Sequence, residues 1–125
     1  MRRSILAPGV IDRDCLFCKI AAKEIPAKIV LETERVIAFE DREPQAPTHL
    51  LLIPREHVPS SLHVTPADHA LVGELVELAA RLARERGLAE DVYRLVINTN
   101  RAAGQTVFHL HLHLLGGRRF GWPPG

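Results

Sequence analysis

Apolar and polar positions alternate without a break from Phe108 through Leu114, with histidine at every second place: His109, His111 and His113. Strict period-two alternation predicts a β-strand whose two faces meet different surroundings. Phe108, Leu110, Leu112 and Leu114 are thereby assigned to a core, and the three histidines to a row on the other face. Residues 28–32 and 36–40, rich in β-branched side chains and separated by a turn at Thr33 and Glu34, read as an antiparallel hairpin. His49 begins a strand whose run Leu50-Leu51-Leu52-Ile53 is apolar on both sides, as in a central strand, and Pro54 ends it. Residues 91–98 supply a fifth strand. The spacing becomes helical over 66–86, where Leu71, Leu75, Leu78 and Leu82 join Val72, Val76, Ala79 and Ala83 in one broad apolar stripe. Thr65 is placed to cap that helix, Pro66 suits its first position, Asp68 meets its dipole and Gly87 closes it. At about 1.5 Å per residue it is roughly 30 Å long, enough to cover one face of a small sheet. A short helix over 18–24 stops before Ile25, because a residue preceding proline avoids helical geometry.

Turns and loops fill the rest. Residues 41–48 hold Pro44 and Pro47 and show no periodicity; Asp41, at the junction, reads equally as a ligand for substrate hydroxyls or as a loop cap. Residues 99–106 are small and polar, suited to an ordinary connection or to backbone N–H groups approaching a phosphate. The tail over 116–125 carries the only Trp, cannot be regular structure and invites an anchoring role. His57, His63 and His69 sit in polar contexts and are expected to be solvated.

Composition narrows the function classes. Sixteen basic and 15 acidic residues give a net charge of +1 with no long run of either sign, which argues against a nucleic-acid or membrane-surface partner. No apolar run approaches the roughly 18 residues of a membrane span. The first ten residues have too little apolar length for a secretory signal. The expectation is a cytoplasmic protein with a flexible lead over 1–13 and one domain over 14–125.

The histidine row admits three readings: a solvent-facing strand, a metal-collecting tract, or a histidine nucleophile flanked by imidazole donors. Same-face neighbours on a strand are about 6.6 Å apart, so adjacent rings can address one small group while the outer pair, about 13 Å apart, cannot. Two histidines two residues apart can share a metal at about 2.0–2.1 Å per bond, but a third on a straight strand is poorly placed to join them. Both cysteines lie in Cys15-Leu16-Phe17-Cys18. That spacing fits half a zinc site, a redox pair, or two ordinary small residues at a helix start.

His109-Leu110-His111-Leu112-His113-Leu114-Leu115 resembles the histidine-triad signature. Phe17-Cys18-Lys19-Ile20, Glu24-Ile25-Pro26-Ala27-Lys28, Pro44-Gln45-Ala46-Pro47-Thr48-His49, Gly104-Gln105 and Leu115-Gly116-Gly117-Arg118 extend the likeness to the Hint branch, the histidine triad nucleotide-binding proteins, from about Asp14 to the C-terminus. Trp122-Pro123-Pro124-Gly125 is similar to eukaryotic members and Asn98-Thr99-Asn100-Arg101 to bacterial ones.

The resemblance implies an α+β fold: a five-stranded antiparallel sheet with one long and one short helix, dimerising into a continuous ten-stranded sheet. It implies hydrolysis of purine nucleoside phosphoramidates, with no cofactor for catalysis. In that chemistry His111 attacks the α-phosphorus, expels the amine, becomes nucleotidylated and is freed by water, which releases AMP or GMP. An imidazole with a reference pKa of about 6.5 is largely neutral at cytoplasmic pH and so available as a nucleophile. By the same matching, His113 and the Gln105-Thr106 region serve the phosphoryl oxygens and Thr106 assists the leaving amine. His49 and His109 support the ring of His111. Phe17, Ile20, Phe39 and Asp41 hold the nucleoside, with Asp41 on the ribose, and Asn98 and Gly104 line the phosphate site. Structural zinc is implied on Cys15, Cys18, His49 and His109. Arg42 stands where the family has an aliphatic residue, and Ala103 where a second glycine is common. Two other classes remain at this stage: a dinucleoside polyphosphate hydrolase of the same superfamily, and a non-catalytic nucleotide-binding or scaffold protein.

Overall fold

In the three central strands of one sheet, residue parity decides which face a side chain takes. A computed structural model describes residues 14–125; the expected lead over 1–13 lies outside the described residues. The strands are β1 (Ile29–Glu32), β2 (Val36–Glu40), β3 (Thr48–Pro54), β4 (Tyr93–Val96) and β5 (Leu112–Gly116). They form one sheet in the order β1-β2-β3-β5-β4, each neighbour antiparallel. On one face, Val36, Ala38, Leu50, Leu52, Leu112 and Leu114 meet the apolar stripe of α2 (His69–Glu85), through Leu71, Leu75, Leu78, Ala79, Leu82 and Ala83. Each such leucine contributes roughly 1.5–3 kcal/mol on burial. On the other face, Ile37, Phe39, Leu51 and Ile53 meet Phe17, Cys18, Ile20 and Ala21 of α1 (Leu16–Ala21). Among the described residues this second face is covered by a six-residue helix and, beside it, Ile25, Ala27 and Val107, leaving room for a cleft.

The expected long helix starts as a 3₁₀ turn, Pro66–Asp68, before becoming α-helical at His69. The Asp68 carboxylate accepts from both the N–H and the hydroxyl of Thr65, and Gly87 takes the left-handed conformation (φ 74°) that ends the run. No helix among the described residues is long and apolar enough to cross a membrane.

The histidine strand is shorter than its alternation predicts, and Pro54 accounts for it. The Arg55 N–H bonds the Arg35 carbonyl on the β2 side, so the nitrogen of Pro54 faces β5 and has no hydrogen to offer. The β3–β5 register accordingly stops at Leu52 opposite Leu112. Beyond it, the Leu110 N–H turns to the Val58 carbonyl, and the Pro54 carbonyl accepts from His109 Nε2 at 2.8 Å. Phe108, expected in the core, is instead exposed and lies under the Arg101 guanidinium, because the chain has left the sheet before reaching it. The tail is anchored: Phe120 sits between the guanidinium groups of Arg94 and Arg118, 5.0 and 4.3 Å from its ring centre, and Arg94 donates to the Gly121 carbonyl.

Candidate active site

The odd-numbered face opens beside α1 into a cleft of about 990 Å³. Its walls divide by chemistry. His49, His111, His113 and Thr106 supply polar groups, while Phe17, Ile20, Pro26, Ala27 and Phe39 supply apolar surface, with Asp41 also on the lining. Phe17 stands edge-on to His111, ring centres 5.0 Å apart, and edge-on to Phe39 at 5.5 Å. His111 and His113 are themselves 5.0 Å apart. The structure thus gathers His49, His111, His113, Thr106, Gly104, Phe17, Ile20, Phe39 and Asp41 around one space, as the sequence suggested.

Hydrogen bonding fixes where the protons sit. His111 Nδ1 lies 2.7 Å from the His109 carbonyl; a carbonyl only accepts, so Nδ1 carries the hydrogen and Nε2 keeps its lone pair. The backbone N–H of Gln45 donates to His49 Nδ1 at 3.0 Å, so the neutral His49 ring holds its hydrogen on Nε2. That atom faces His113 Nδ1 at 2.8 Å, with the Asp41 carboxylate at 3.4 Å. His113 Nδ1 must then accept, which places its own hydrogen on Nε2. This Nε2 is buried and has no partner among the described residues. A backbone amide thereby sets, through two rings, a donor beside the free lone pair of His111.

Burial disfavours the charged form of all three rings. It lowers the His111 pKa below the ordinary imidazole value, against the opposing pull of the His109 carbonyl and Asp41. Burial, then the neighbouring His111 and His49, push His113 down to about 4. His49 is lowered by burial and raised in part by Asp41. Asp41 is also braced locally: its N–H bonds the His49 carbonyl and its Oδ1 accepts from the Glu43 N–H.

Behind the triad lies a second cluster. Cys15, Cys18, His57 and His109 bring their ligand atoms within 4.8 Å of one another. Cys15 Sγ and Cys18 Sγ lie 3.3 and 3.4 Å from His109 Nδ1, and Cys18 Sγ lies 3.3 Å from His57 Nδ1. A tetrahedral ion with bonds of about 2.0–2.3 Å spaces its ligands at roughly 3.3–3.8 Å. His109 Nε2 donates to the Pro54 carbonyl, which turns the Nδ1 lone pair towards the thiols, the arrangement a metal-ligating histidine adopts. The set corrects the sequence expectation in one member. His49 is not part of it, because its ring bonds Gln45 and His113; His57 takes that place and is buried rather than solvated. Nothing in the polar Arg55-Glu56-His57 stretch marks it. The signal is only that two cysteines at this spacing need two more ligands, and the folding of the chain past Pro54 selects which. His63 bonds Ser60 Oγ, and His69 opens α2 on the exposed side.

The loop before the triad is scaffolded by Gln105, 1 % exposed. Its amide donates to the carbonyls of Pro59 and Val107 and accepts from the Asn100 N–H, so that amide braces the loop; Gln105 and Asn98 are absent from the cleft lining, against expectation. Gly104 does line it, at φ 102°, a conformation that side-chain-bearing residues rarely adopt. Ala103 closes a 3₁₀ turn and does not need glycine's freedom.

A family model described as the HIT domain matches residues 22–120. The chain is 54% identical over 112 residues to an uncharacterized HIT-like protein of Synechocystis sp., covering 90% of this chain and 97% of that one. It is 46% identical over 108 residues to the purine nucleoside phosphoramidase of Escherichia coli strain K12, covering 86% and 91%. Among solved structures, a HIT family hydrolase from Legionella pneumophila superimposes with a TM-score of 0.87 at 52% identity, covering 89% of this chain and 99% of the other.

Proposed function

This chain belongs to the HIT domain family and has its fold and the likeness of its hydrolases, and from that premise we propose that it hydrolyses purine nucleoside phosphoramidates through a nucleotidyl-histidine intermediate on His111. The observation that carries this reading is the pairing of a free Nε2 lone pair on His111 with the unpartnered Nε2 donor of His113 in one cleft. In the first step His111 Nε2 forms a bond to the α-phosphorus while the P–N bond breaks, and the departing amine takes up a proton. Thr106, whose hydroxyl is the only one that the described residues bring to the cleft lining, serves that proton transfer. His113 Nε2 donates to the phosphoryl oxygens as charge builds on them. In the second step water attacks phosphorus, His111 leaves, and the nucleoside monophosphate is released. The apolar wall, with Asp41 for the ribose hydroxyls, holds the nucleoside. The sequence identity to the Escherichia coli phosphoramidase supports the substrate class.

Cys15, Cys18, His57 and His109 would hold a zinc ion, which would supply a rigid cross-link behind the triad. Reduced thiols of this kind suit a cytoplasmic setting. The edge position of β4, with exposed Tyr93 and Ile97 and Val76 exposed on α2, supports a homodimer paired through that strand and helix.

The test is release of AMP from adenosine 5′-phosphoramidate by the full chain beside a His111→Asn variant. Turnover by the first and none by the second is expected. Two inert proteins that still bind nucleotide would refute hydrolysis of this substrate class, and faster cleavage of diadenosine tetraphosphate would move the activity to the P–O bond.

A further inference from the structure

Among the described residues Arg42 is the one guanidinium on the cleft lining, and the mechanism above gives it no task. Its backbone is held on both sides, by the Asp41 N–H on the His49 carbonyl and the Glu43 N–H on Asp41. Its side chain makes a single long contact, Nη2 to the Pro26 carbonyl at 3.5 Å. Its remaining N–H groups have no partner among the described residues. Pro26 belongs with Ala27 and Ile20 to the apolar wall, so the guanidinium is tethered where a flat base would rest and not at the histidines. Resting on the nucleotide-binding part of the reading above, we propose that Arg42 selects guanine over adenine at this cleft.

The chemistry is one of matched edges. A guanidinium only donates, in a planar fork. Guanine presents two adjacent acceptors, O6 and N7, which that fork meets together; adenine presents N7 beside an N6 amine, a donor facing a donor. Lys28 also lines the cleft, but an ammonium on a flexible stem has no fork and discriminates less. Glu40 and Glu43 line it as well. A carboxylate accepts from the N1–H and N2 amine of guanine as readily as from the N6 amine of adenine, so neither reverses the choice. Arg42 is exposed, and the expected preference is at the lower end of what bidentate recognition gives, about tenfold in affinity.

Calorimetric titration of the full chain with GMP, AMP and IMP tests this directly, because IMP keeps O6 and N7 but lacks the N2 amine. GMP and IMP should bind alike and about tenfold more tightly than AMP. Arg42→Leu should bring all three within about twofold, and Arg42→Lys should keep only part of the difference. The inference is overturned if the wild type binds AMP as well as GMP, if IMP follows AMP, or if either variant retains the full ratio. Because the readout is binding, an absence of phosphoramidate turnover would remove the hydrolase reading while leaving this ratio to be judged on its own.

Discussion

The run of bonds from Gln45 through His49 to His113 makes a quantitative claim about catalysis. Replacing His113 by Phe removes the donor outright, and loss of one fixed donor to a developing oxyanion costs about 10²–10³ in kcat, or ~3–4 kcal/mol. Replacing His49 by Phe leaves that donor present but frees the His113 ring to rotate and to exchange tautomers. The structure assigns to this interaction one hydrogen bond of 2.8 Å between neutral rings, which is worth ~1 kcal/mol and so about fivefold in rate. The effect should fall on kcat with little change in KM, since His49 positions a group that acts as charge develops. The two changes should not add. With His113 already Phe, the His49→Phe substitution has no proton left to place, and the double variant should match His113→Phe alone within about twofold, a coupling of ~1 kcal/mol. AMP release under saturating phosphoramidate gives the rates, and thermal melts of all four proteins show that each is folded. A further fivefold loss in the double variant would refute the relay and leave His49 acting by another route, such as its 3.4 Å approach to Asp41.

Three other outcomes follow from the same geometry. Purified chain should carry about one zinc by elemental analysis; Cys18→Ser or His57→Ala should lose it and melt at lower temperature, whereas His49→Ala should retain it. Stability should fall with acid in a defined window. The folded His113 pKa of about 4 lies below its unfolded value, so the unfolded chain binds more protons between about pH 6.5 and 4; the melting temperature should decline across that range, and less so in His113→Phe. Gly104→Ala forces a side chain into φ 102°, and strain of about 1–2 kcal/mol should loosen the loop; slower AMP release with unchanged melting of the core, followed by circular dichroism, is the expected pattern.

The sheet was legible because its three central strands obey period two so strictly that their odd and even residues separate onto opposite faces, and α2 because one stripe of leucines runs its length. The cleft residues on the strands followed from the same parity, His111 and His113 included. What escaped was decided by single backbone atoms. The missing N–H of Pro54 ends the β5 ladder and leaves Phe108 outside the core, although the alternation through it is faultless. Gln105 reads as a polar residue beside a phosphate loop, yet three backbone groups claim its amide first. His49 was expected as a ligand and His57 as a solvated side chain, and only the Gln45 amide on one ring and the thiols around the other reverse the two.

The Cys/His cluster also bears on the order in which the chain can be assembled. Cys15 and His109 are 94 positions apart, so the two cysteines leave the ribosome well before their last partner. An ion captured by the pair, and then by His57, would wait for that last ligand while the sheet forms around it. Closing the tetrahedron would then report that β5 has reached its place, so that ion uptake by a nascent chain of increasing length would serve as a clock for completion of the fold.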